Sequence, residues 1–256
     1  MIVCKSPAEL EKMRAANQLV AQVLEELAAM VAPGVTTADL DAAAEARVRA
    51  AGAEPAFKGY RGYPATLCAS VNEQVVHGIP NRTALASGDI VSLDMGVKLN
   101  GYYGDSAVTV PVGTVDENVR KLLRVTREAL DKGIAQVKVG GRISDIGHAI
   151  QAHVEANGFS VVREFVGHGI GASLHEEPQI ANYGEPGRGP RLAEGMTLAI
   201  EPMVNMGKAA VRVLADGWTA VTRDGSLSAH FEHTVAVTAD GPWILTAREV
   251  PVAARR

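Results

Sequence analysis

The chain has 256 residues, of which 47% are hydrophobic and 21% charged, with a formal net charge of −4 at pH 7. This balance is typical of a globular protein in water, and the absence of a basic run disfavours a nucleic-acid partner. No apolar run approaches the roughly 20 residues that a membrane span requires, and the N-terminus lacks a signal-peptide pattern. The two cysteines, Cys4 and Cys68, are too few for a disulfide framework. We therefore expect a cytoplasmic protein.

Two helices are predicted in the first part of the chain. Ser6 and Glu9 have the spacing of a capping box, and apolar residues then recur at helical spacing until Pro33. Thr36 and Asp39 have the same spacing and predict the start of a second helix, ending near residue 52.

Strands and helices then alternate along the chain. Residues 66–110 show alternating apolar positions and are predicted as strands. A third helix is predicted after a cap at Asp116 and a fourth over 144–158, followed by strands from about 160 onward. Turns are predicted at Asp216-Gly217 and Asp224-Gly225. No linker divides the chain, so a single catalytic domain of α+β class is expected over 1–256.

The two halves of the chain share a pattern. SGDIVSLDMGV (87–97) and EGMTLAIEPMV (194–204) each combine an apolar strand with a carboxylate six residues after a glycine. Upstream of these segments, HGIP (77–80) and HEEP (175–178) each place a proline three residues after a histidine. The shared order predicts an internal pseudo-repeat, with two similar α/β halves.

Two aspartates are predicted to meet on a hairpin. Asn100-Gly101 is a strong two-residue hairpin signal, and this loop would pair Asp94 with Ala107. Asp105 would then be a diagonal neighbour of Asp94 on the same face, close enough to share a bridging ion. The alternative is that both carboxylates face solvent, and a longer loop would change the register.

The second half offers matching acids. Glu201 lies within an apolar strand, where an unpaired charge would be very costly, and Glu232 is flanked by strand-forming residues. Asp94, Asp105 and these glutamates, with one histidine, would form an oxygen-rich site for two divalent ions such as Mn²⁺, Fe²⁺, Co²⁺ or Zn²⁺. Such a centre generates a nucleophile at neutral pH and stabilises a tetrahedral intermediate.

The segment VGHGIGASLHEEP (166–178) contains two histidines seven residues apart. Its glycines disfavour a helix, and an odd separation on a regular strand would put His168 and His175 on opposite faces. We therefore expect a strand end followed by a tight loop. The spacing leaves open whether the imidazoles share one task or divide two.

Over nearly its whole length, the chain resembles the type I methionine aminopeptidases, a branch of the M24 peptidases. The motifs that carry the resemblance run from SPAELEKMR (6–14) to FEHTVAVT (231–238) and include GYRGYPATLCASVNEQVVHGIP, GDIVSLDMGV, GYYGDSA, GHGIGASLHEEP, IEPMV and EHT. The resemblance implies the pita-bread fold, in which two pseudo-symmetric α/β halves surround a central metal site. It also implies removal of the initiator methionine from nascent proteins when the second residue is small.

The resemblance further implies the roles of individual residues. The metal ligands implied are Asp94, Asp105, His168, Glu201 and Glu232. A hydroxide held by two divalent ions would attack the scissile carbonyl. His175 would stabilise the oxyanion, His77 would contact the amide nitrogen, and Glu201 would shuttle the proton. The remaining histidines are expected to be structural, namely His148, His153, His230 and His233. Of these, His230 and His233 flank the implied ligand Glu232.

A pocket for the methionine side chain is also implied by the resemblance. Its residues are Phe57, Tyr60, Tyr63, Cys68, Phe165, Leu174 and Trp218. Four positions depart from the best-known bacterial pattern, with phenylalanine at 57, phenylalanine at 165, leucine at 174 and glycine at 96 in place of cysteine, tyrosine, phenylalanine and threonine. A monovalent-cation site is a further implication, at Asn72, Gln74 and Ser228.

Two other functions fit parts of the sequence. A proline-specific peptidase or creatinase-like hydrolase would share the fold, but such enzymes usually carry a large N-terminal domain for which the chain has no room. A binding protein that has lost its metals is disfavoured because all five implied ligands are present. The absence of a zinc-finger extension and of a long insertion favours type I over type II. The expected partners are nascent N-termini at the ribosome, and the expected state is a monomer.

Overall fold

The computed structural model describes residues 1–248. In this part of the chain the helices are α1 (Pro7–Met30), α2 (Thr37–Ala50), α3 (Glu117–Ile134) and α4 (Ile143–Ala156), with a 3₁₀ turn at Tyr60–Gly62. The first strands are β1 (Glu54–Pro55), β2 (Leu67–Val71), β3 (Gln74–Val76), β4 (Ile90–Leu99), β5 (Tyr102–Pro111), β6 (Ser160–Val161) and β7 (Gly167–Gly169). The remaining strands are β8 (Glu176–Ile180), β9 (Thr197–Ile200), β10 (Met203–Asn205), β11 (Val211–Val213), β12 (Ala220–Thr222), β13 (Ser228–His230), β14 (Glu232–Thr238) and β15 (Gly241–Ile244).

The predicted helix starts are confirmed for α1, α2 and α3. Ser6 and Thr36 form the predicted capping boxes, and the side chain of Asp116 accepts a hydrogen bond from the third residue of α3. Helix α4 begins one residue before the predicted Ser144, because the Asp145 carboxylate accepts from the Arg142 backbone N–H at 2.9 Å and fixes the first turn there.

The strands form one large antiparallel sheet and two small ones. The large sheet has the order β1-β4-β5-β14-β9-β7-β8, with β2 and β15 added beside β4 and β14. The triplets β2-β4-β5 and β7-β9-β14 are therefore arranged alike about the junction of β5 and β14. Because a helix pair precedes each triplet in the chain, the topology agrees with the predicted pseudo-repeat.

The predicted hairpin register between β4 and β5 is confirmed. Asn100 and Gly101 have φ angles of 52° and 84°, as a two-residue loop of type I′ requires. Asp94 pairs with Ala107 and Gly96 pairs with Asp105, so both aspartates lie on one face as diagonal neighbours.

The large sheet separates the helices from the site. In β4, Leu93 and Met95 are fully buried in a core with α1 and α2, whereas the alternating Asp94 lies on the opposite face. The strands β9 and β14 contribute Leu198 and Val235 to a second core with α3 and α4. Among the described residues, no helix has the length and apolar character needed to span a membrane.

Candidate metal centre and active site

Buried acids from both halves converge at the centre of the large sheet. Asp105 lies on β5, and Glu232 on the adjoining β14 pairs with Ala107. His168 on β7 pairs with Ala199 of β9, the strand that Glu201 follows directly. Ligand atoms of Asp105, His168 and Glu232 all lie within 4.8 Å of one another. The sheet thus brings predicted ligands from distant parts of the sequence into one cluster.

The imidazole of His168 is oriented as a metal ligand requires. Its Nδ1 lies 2.8 Å from the carbonyl oxygen of Gly169, which can only accept, so Nδ1 carries the hydrogen. The lone pair is then on Nε2, which lies 3.6 Å from Glu201 Oε1 and 3.9 Å from Asp105 Oδ2. Burial lowers the pKa of His168 to about 3, which keeps the ring neutral.

The carboxylates lack the partners that buried charges need. Within residues 1–248, Asp94 Oδ1, Asp105 Oδ1 and Glu232 Oε1 are buried without a hydrogen-bond partner. Burial raises the pKa of Asp94 to about 7, and burial together with the neighbouring acids raises the pKa values of Asp105, Glu201 and Glu232. Unpaired buried acids are costly, so the donor set fits divalent cations better than an empty apolar core.

The loop after β7 places His175 beside His168, with ring centroids 4.2 Å apart. His175 lies outside β7, in the loop that precedes β8, so the strand alternation that would separate an odd spacing does not apply to it. His175 Nδ1 lies 2.9 Å from the Tyr60 hydroxyl, and the two rings are stacked. Partial burial, and then the charge of Arg61, lower the pKa of His175.

His77 approaches the same cleft from the other half. It has a φ angle of 60°, a strained value for a residue other than glycine. Burial and then the proximity of His175 lower its pKa to about 4, so the ring is neutral near pH 7. Both motif histidines are therefore neutral groups facing the acidic cluster.

A cavity of about 160 Å³ opens beside the acids. Most of the predicted pocket residues line it, namely Phe57, Tyr60, Tyr63, Cys68, Leu174 and Trp218. Phe165 instead packs edge-on against His77, with ring centroids 5.4 Å apart. Burial raises the pKa of the Cys68 thiol, so it stays protonated and weakly polar. Arg61, which sequence reasoning missed, also lines the cavity, and its guanidinium lies over the Tyr60 ring.

Two departures from the familiar bacterial pattern touch each other. A Cβ atom on Gly96 would lie 2.9 Å from Cε1 of Phe57 and 3.0 Å from the Cβ of Ala56. The Phe57 ring thus occupies the space that a side chain at position 96 would need.

The other four histidines separate into two groups. Three have polar neighbours away from the cluster: His148 with the Gly184 carbonyl, His153 with Glu128 and His233 with Thr246. His230 is buried with neither ring nitrogen hydrogen-bonded in the described structure, and its Nε2 lies 3.8 Å from Glu201 Oε2. His230 therefore borders the cluster, whereas the others have local roles.

The residues predicted for a monovalent cation lie partly together. The Asn72 carbonyl accepts a hydrogen bond from the Ser228 backbone N–H at 3.0 Å. The side chain of Gln74 turns back and accepts from the Val71 N–H at 3.0 Å. Asn72 and Ser228 are thus adjacent, while the Gln74 side chain is engaged locally.

Known proteins are similar to this chain in sequence and in fold. The pattern of metallopeptidase family M24 matches residues 11–239. Methionine aminopeptidase 1 of Bacillus subtilis is 56% identical over 246 residues, covering 96% of this chain and 99% of that protein. A methionine aminopeptidase structure from Thermotoga maritima matches with a TM-score of 0.95 at 51% identity, covering 97% of this chain and 100% of that one.

A more distant structure matches in fold alone. A prolidase from Pyrococcus furiosus has a TM-score of 0.78 at 23% identity, covering 97% of this chain and 66% of that one. The pita-bread fold expected from the sequence is confirmed by these matches.

Proposed function

The chain belongs to metallopeptidase family M24, and on this premise we propose that it is a methionine aminopeptidase that removes the N-terminal methionine of new proteins. The observation that carries the proposal is the buried acidic cluster beside a small cavity lined by aromatic side chains and the Cys68 thiol. Such a lining suits a thioether side chain. The high identity to named methionine aminopeptidases supports the same activity.

Five residues would hold two divalent ions, namely Asp94, Asp105, His168, Glu201 and Glu232. The single imidazole and the several carboxylates suit Mn²⁺, Fe²⁺, Co²⁺ or Zn²⁺. When bound, the ions supply Lewis-acid activation of a water nucleophile and polarisation of the scissile carbonyl. Asn72, Gln74 and Ser228 would serve a monovalent cation at the adjacent loop.

The chain's own residues would then position the peptide and move the proton. With Tyr60 donating to Nδ1, His175 keeps its hydrogen on Nε2 and can donate to the carbonyl oxygen as negative charge develops. Glu201, which lines the cavity beside the acidic cluster, would take a proton from water and give it to the leaving amine. His77 would contact the scissile nitrogen.

The same geometry suggests a choice of substrate. The second side chain of the peptide must lie between His77 and His175, where bulk would displace the carbonyl from the acids. A misplacement of about 1 Å can cost on the order of 100-fold in rate. We therefore expect cleavage only before small residues such as Gly, Ala, Ser, Thr, Pro, Val or Cys.

The setting of the reaction follows from the substrate. The proposed partners are the N-termini of nascent polypeptides at the ribosome, in the cytoplasm. The proposed working form is a monomer whose one catalytic domain spans residues 1–256. No nucleic-acid contact is needed for this reaction.

The decisive experiment measures the hydrolysis of Met-Ala, Met-Leu and Xaa-Pro peptides by the protein, loaded separately with each of the four metals. We expect the protein to release methionine from Met-Ala peptides. Its kcat/KM for Met-Leu peptides should be at least about 100-fold lower than for Met-Ala peptides. Preferred cleavage of Xaa-Pro dipeptides would instead favour a prolidase-like enzyme, and no hydrolysis with any metal would favour a binding protein.

A further inference from the structure

Lys5 makes an ion pair with Glu176, the residue that follows His175. The ammonium nitrogen lies 2.6 Å from Glu176 Oε2, and the side chains are only 3% and 13% exposed. The exposed ion pairs of the helices are very different, since Arg47 and Glu26 are 48% and 38% exposed. A buried pair makes a specific contact, because removing one partner leaves an uncompensated charge.

Gly171 makes room for this pair. A Cβ atom there would lie 2.6 Å from Glu176 Oε1 and 2.8 Å from Lys5 Nζ, and closer still to the Lys5 Cε. The φ angle of Gly171 is not in the left-handed region, so close packing against Lys5 and Glu176 explains the glycine better than backbone freedom does. The glycine of the motif and the ion pair therefore form one packed unit.

The ion pair closes the loop that carries His175. Glu176 Oε1 accepts from the Ser173 N–H at 3.1 Å, and the Gly171 N–H donates to the Ser173 carbonyl at 3.1 Å. The residues between Gly171 and Glu176 are thus held by one carboxylate, one of whose oxygens binds Lys5.

Lys5 is itself fixed to the sheet. Its backbone N–H donates to the Gly195 carbonyl at 2.7 Å, and the Gly195 N–H donates to the Val237 carbonyl of β14 at 2.9 Å. Lys5 therefore links the strand that begins with the ligand Glu232 to the loop that carries His175.

We propose that Lys5 is a positioning residue for the reaction: through Glu176 it fixes the loop 171–176 and so places the His175 ring against the scissile carbonyl. This inference rests on the proposed function of His175. It gives the segment before α1 a part in the reaction, although none of the proposed catalytic residues lies in that segment.

The test uses metal-loaded Lys5→Met, which keeps the aliphatic stem, and Glu176→Gln, which keeps an acceptor oxygen. Both variants should lose roughly 10- to 100-fold in kcat on Met-Ala peptides, while KM changes less than about threefold and metal content is unchanged. Amide hydrogen exchange over 171–176 should become faster. Arg47→Met, which removes an exposed pair far from the loop, should leave exchange over 171–176 unchanged and kcat within about twofold of the wild type.

A double variant separates positioning from stability. Replacing a buried pair by apolar side chains of similar volume is often neutral for folding, so Lys5→Met combined with Glu176→Met should recover the melting temperature. If the pair positions His175, kcat stays low. Recovery of kcat together with the melting temperature, or unchanged exchange over 171–176 in the single variants, would overturn the proposal.

The exchange measurement also keeps this inference separate from the proposed function. Failure of the wild-type protein to release methionine would end the proposed activity. The link between Lys5 and the loop would still be decided by hydrogen exchange, which needs no substrate.

Discussion

His168 and His175 have adjacent rings but different hydrogen-bond partners, a backbone carbonyl for one and the Tyr60 hydroxyl for the other. The first arrangement directs a lone pair at the acids. In the second, a Tyr60 hydroxyl that donates to Nδ1 would leave a hydrogen on Nε2, available to an oxygen of a substrate. The seven-residue spacing leaves open whether the imidazoles share one task, and these partners support the proposal that they divide two.

A pair of alanine variants tests that division. His168→Ala should lose bound metal and activity, whereas His175→Ala should keep its metal and lose on the order of 100-fold or more in kcat, because only a transition-state contact is removed. Metal analysis after dialysis with matched loading measures the difference. Equal metal content in the two variants would contradict it.

Phe57 and Gly96 form a second residue-scale unit, and a double-mutant cycle measures their coupling. Gly96→Thr alone should destabilise the protein by about 1–3 kcal/mol, because the new side chain meets the Phe57 ring. Phe57→Cys should relieve much of this cost, giving a coupling of roughly 1–2 kcal/mol in thermal unfolding. Simple additivity of the two changes would refute the contact.

The Phe57→Cys variant also tests whether Phe57 contributes to the pocket. Since its ring lines the cavity, Phe57→Cys should alter the binding of pocket-directed inhibitors while kcat/KM on Met-Ala changes less than about tenfold. An unchanged inhibitor profile with a lower melting temperature would assign Phe57 a packing role alone.

The sequence predicts some of these residue positions and not others. Asp94 and Asp105 could be placed on one face because Asn100-Gly101 fixes the local register. The edge-on packing of Phe165 on His77 and the position of His230 beside Glu201 could not, because these contacts join segments that are far apart in the sequence. The contact of Lys5 with Glu176 spans 171 residues and has no local signal.

At the scale of single elements, the start of α1 is stabilised by one carboxylate with three hydrogen bonds. Glu9 accepts from the backbone N–H and the hydroxyl of Ser6, and its other oxygen accepts from the Tyr102 hydroxyl at 2.7 Å. These bonds lower the pKa of Glu9 from 4.5 to about 2. The helix start is thereby joined to the hairpin that carries Asp105.

This pKa shift predicts a pH-dependent stability difference. A carboxylate with a lowered pKa stabilises the folded state above its unfolded pKa, so the contribution is complete above about pH 5 and fades as the pH falls from 4.5 towards 2. The melting temperature of wild type should exceed that of Glu9→Gln at pH 7, and the difference should shrink as the pH falls below 4.5 and be largely lost near about pH 2. Glu11→Gln, an exposed change on the same helix, should show no such convergence.

Element boundaries were predictable where a side chain caps the helix. Helix α4 starts one residue before the position that the sequence predicts, because the Asp145 carboxylate accepts a hydrogen bond from the backbone N–H of Arg142 and not from that of Ser144. The order of the strands in the large sheet could be expected only from the pseudo-repeat and the family resemblance, since local patterns do not specify which strands become neighbours.

At the scale of the whole molecule, the clustered acids make metal binding a source of stability. A ligand that binds only the folded state at about 100 times its Kd contributes about 2.7 kcal/mol. For a chain of this size, this corresponds to a rise of roughly 5–10 °C in melting temperature. Thermal unfolding of the protein after chelation and after reloading with Mn²⁺ or Co²⁺ measures the rise.

Asp105→Asn provides the matched comparison. Because it removes one of the mutually repelling buried carboxylates, the chelated variant should unfold at a higher temperature than the chelated wild type. Its rise on reloading should be much smaller. A chelated wild type that unfolds at the same temperature as the loaded protein would contradict the metal centre.

The junction of β5 with β14 also determines when the centre can form during synthesis and folding. The Ser106 hydroxyl donates to the Glu232 carbonyl across 126 residues of sequence, whereas β4 and β5 need only a two-residue loop to pair. Closing a long loop costs entropy that a hairpin avoids, and such non-local contacts form slowly. A chain leaving the ribosome can therefore present Asp94 and Asp105 early, but Glu232 joins them only after β14 has emerged and paired with β5.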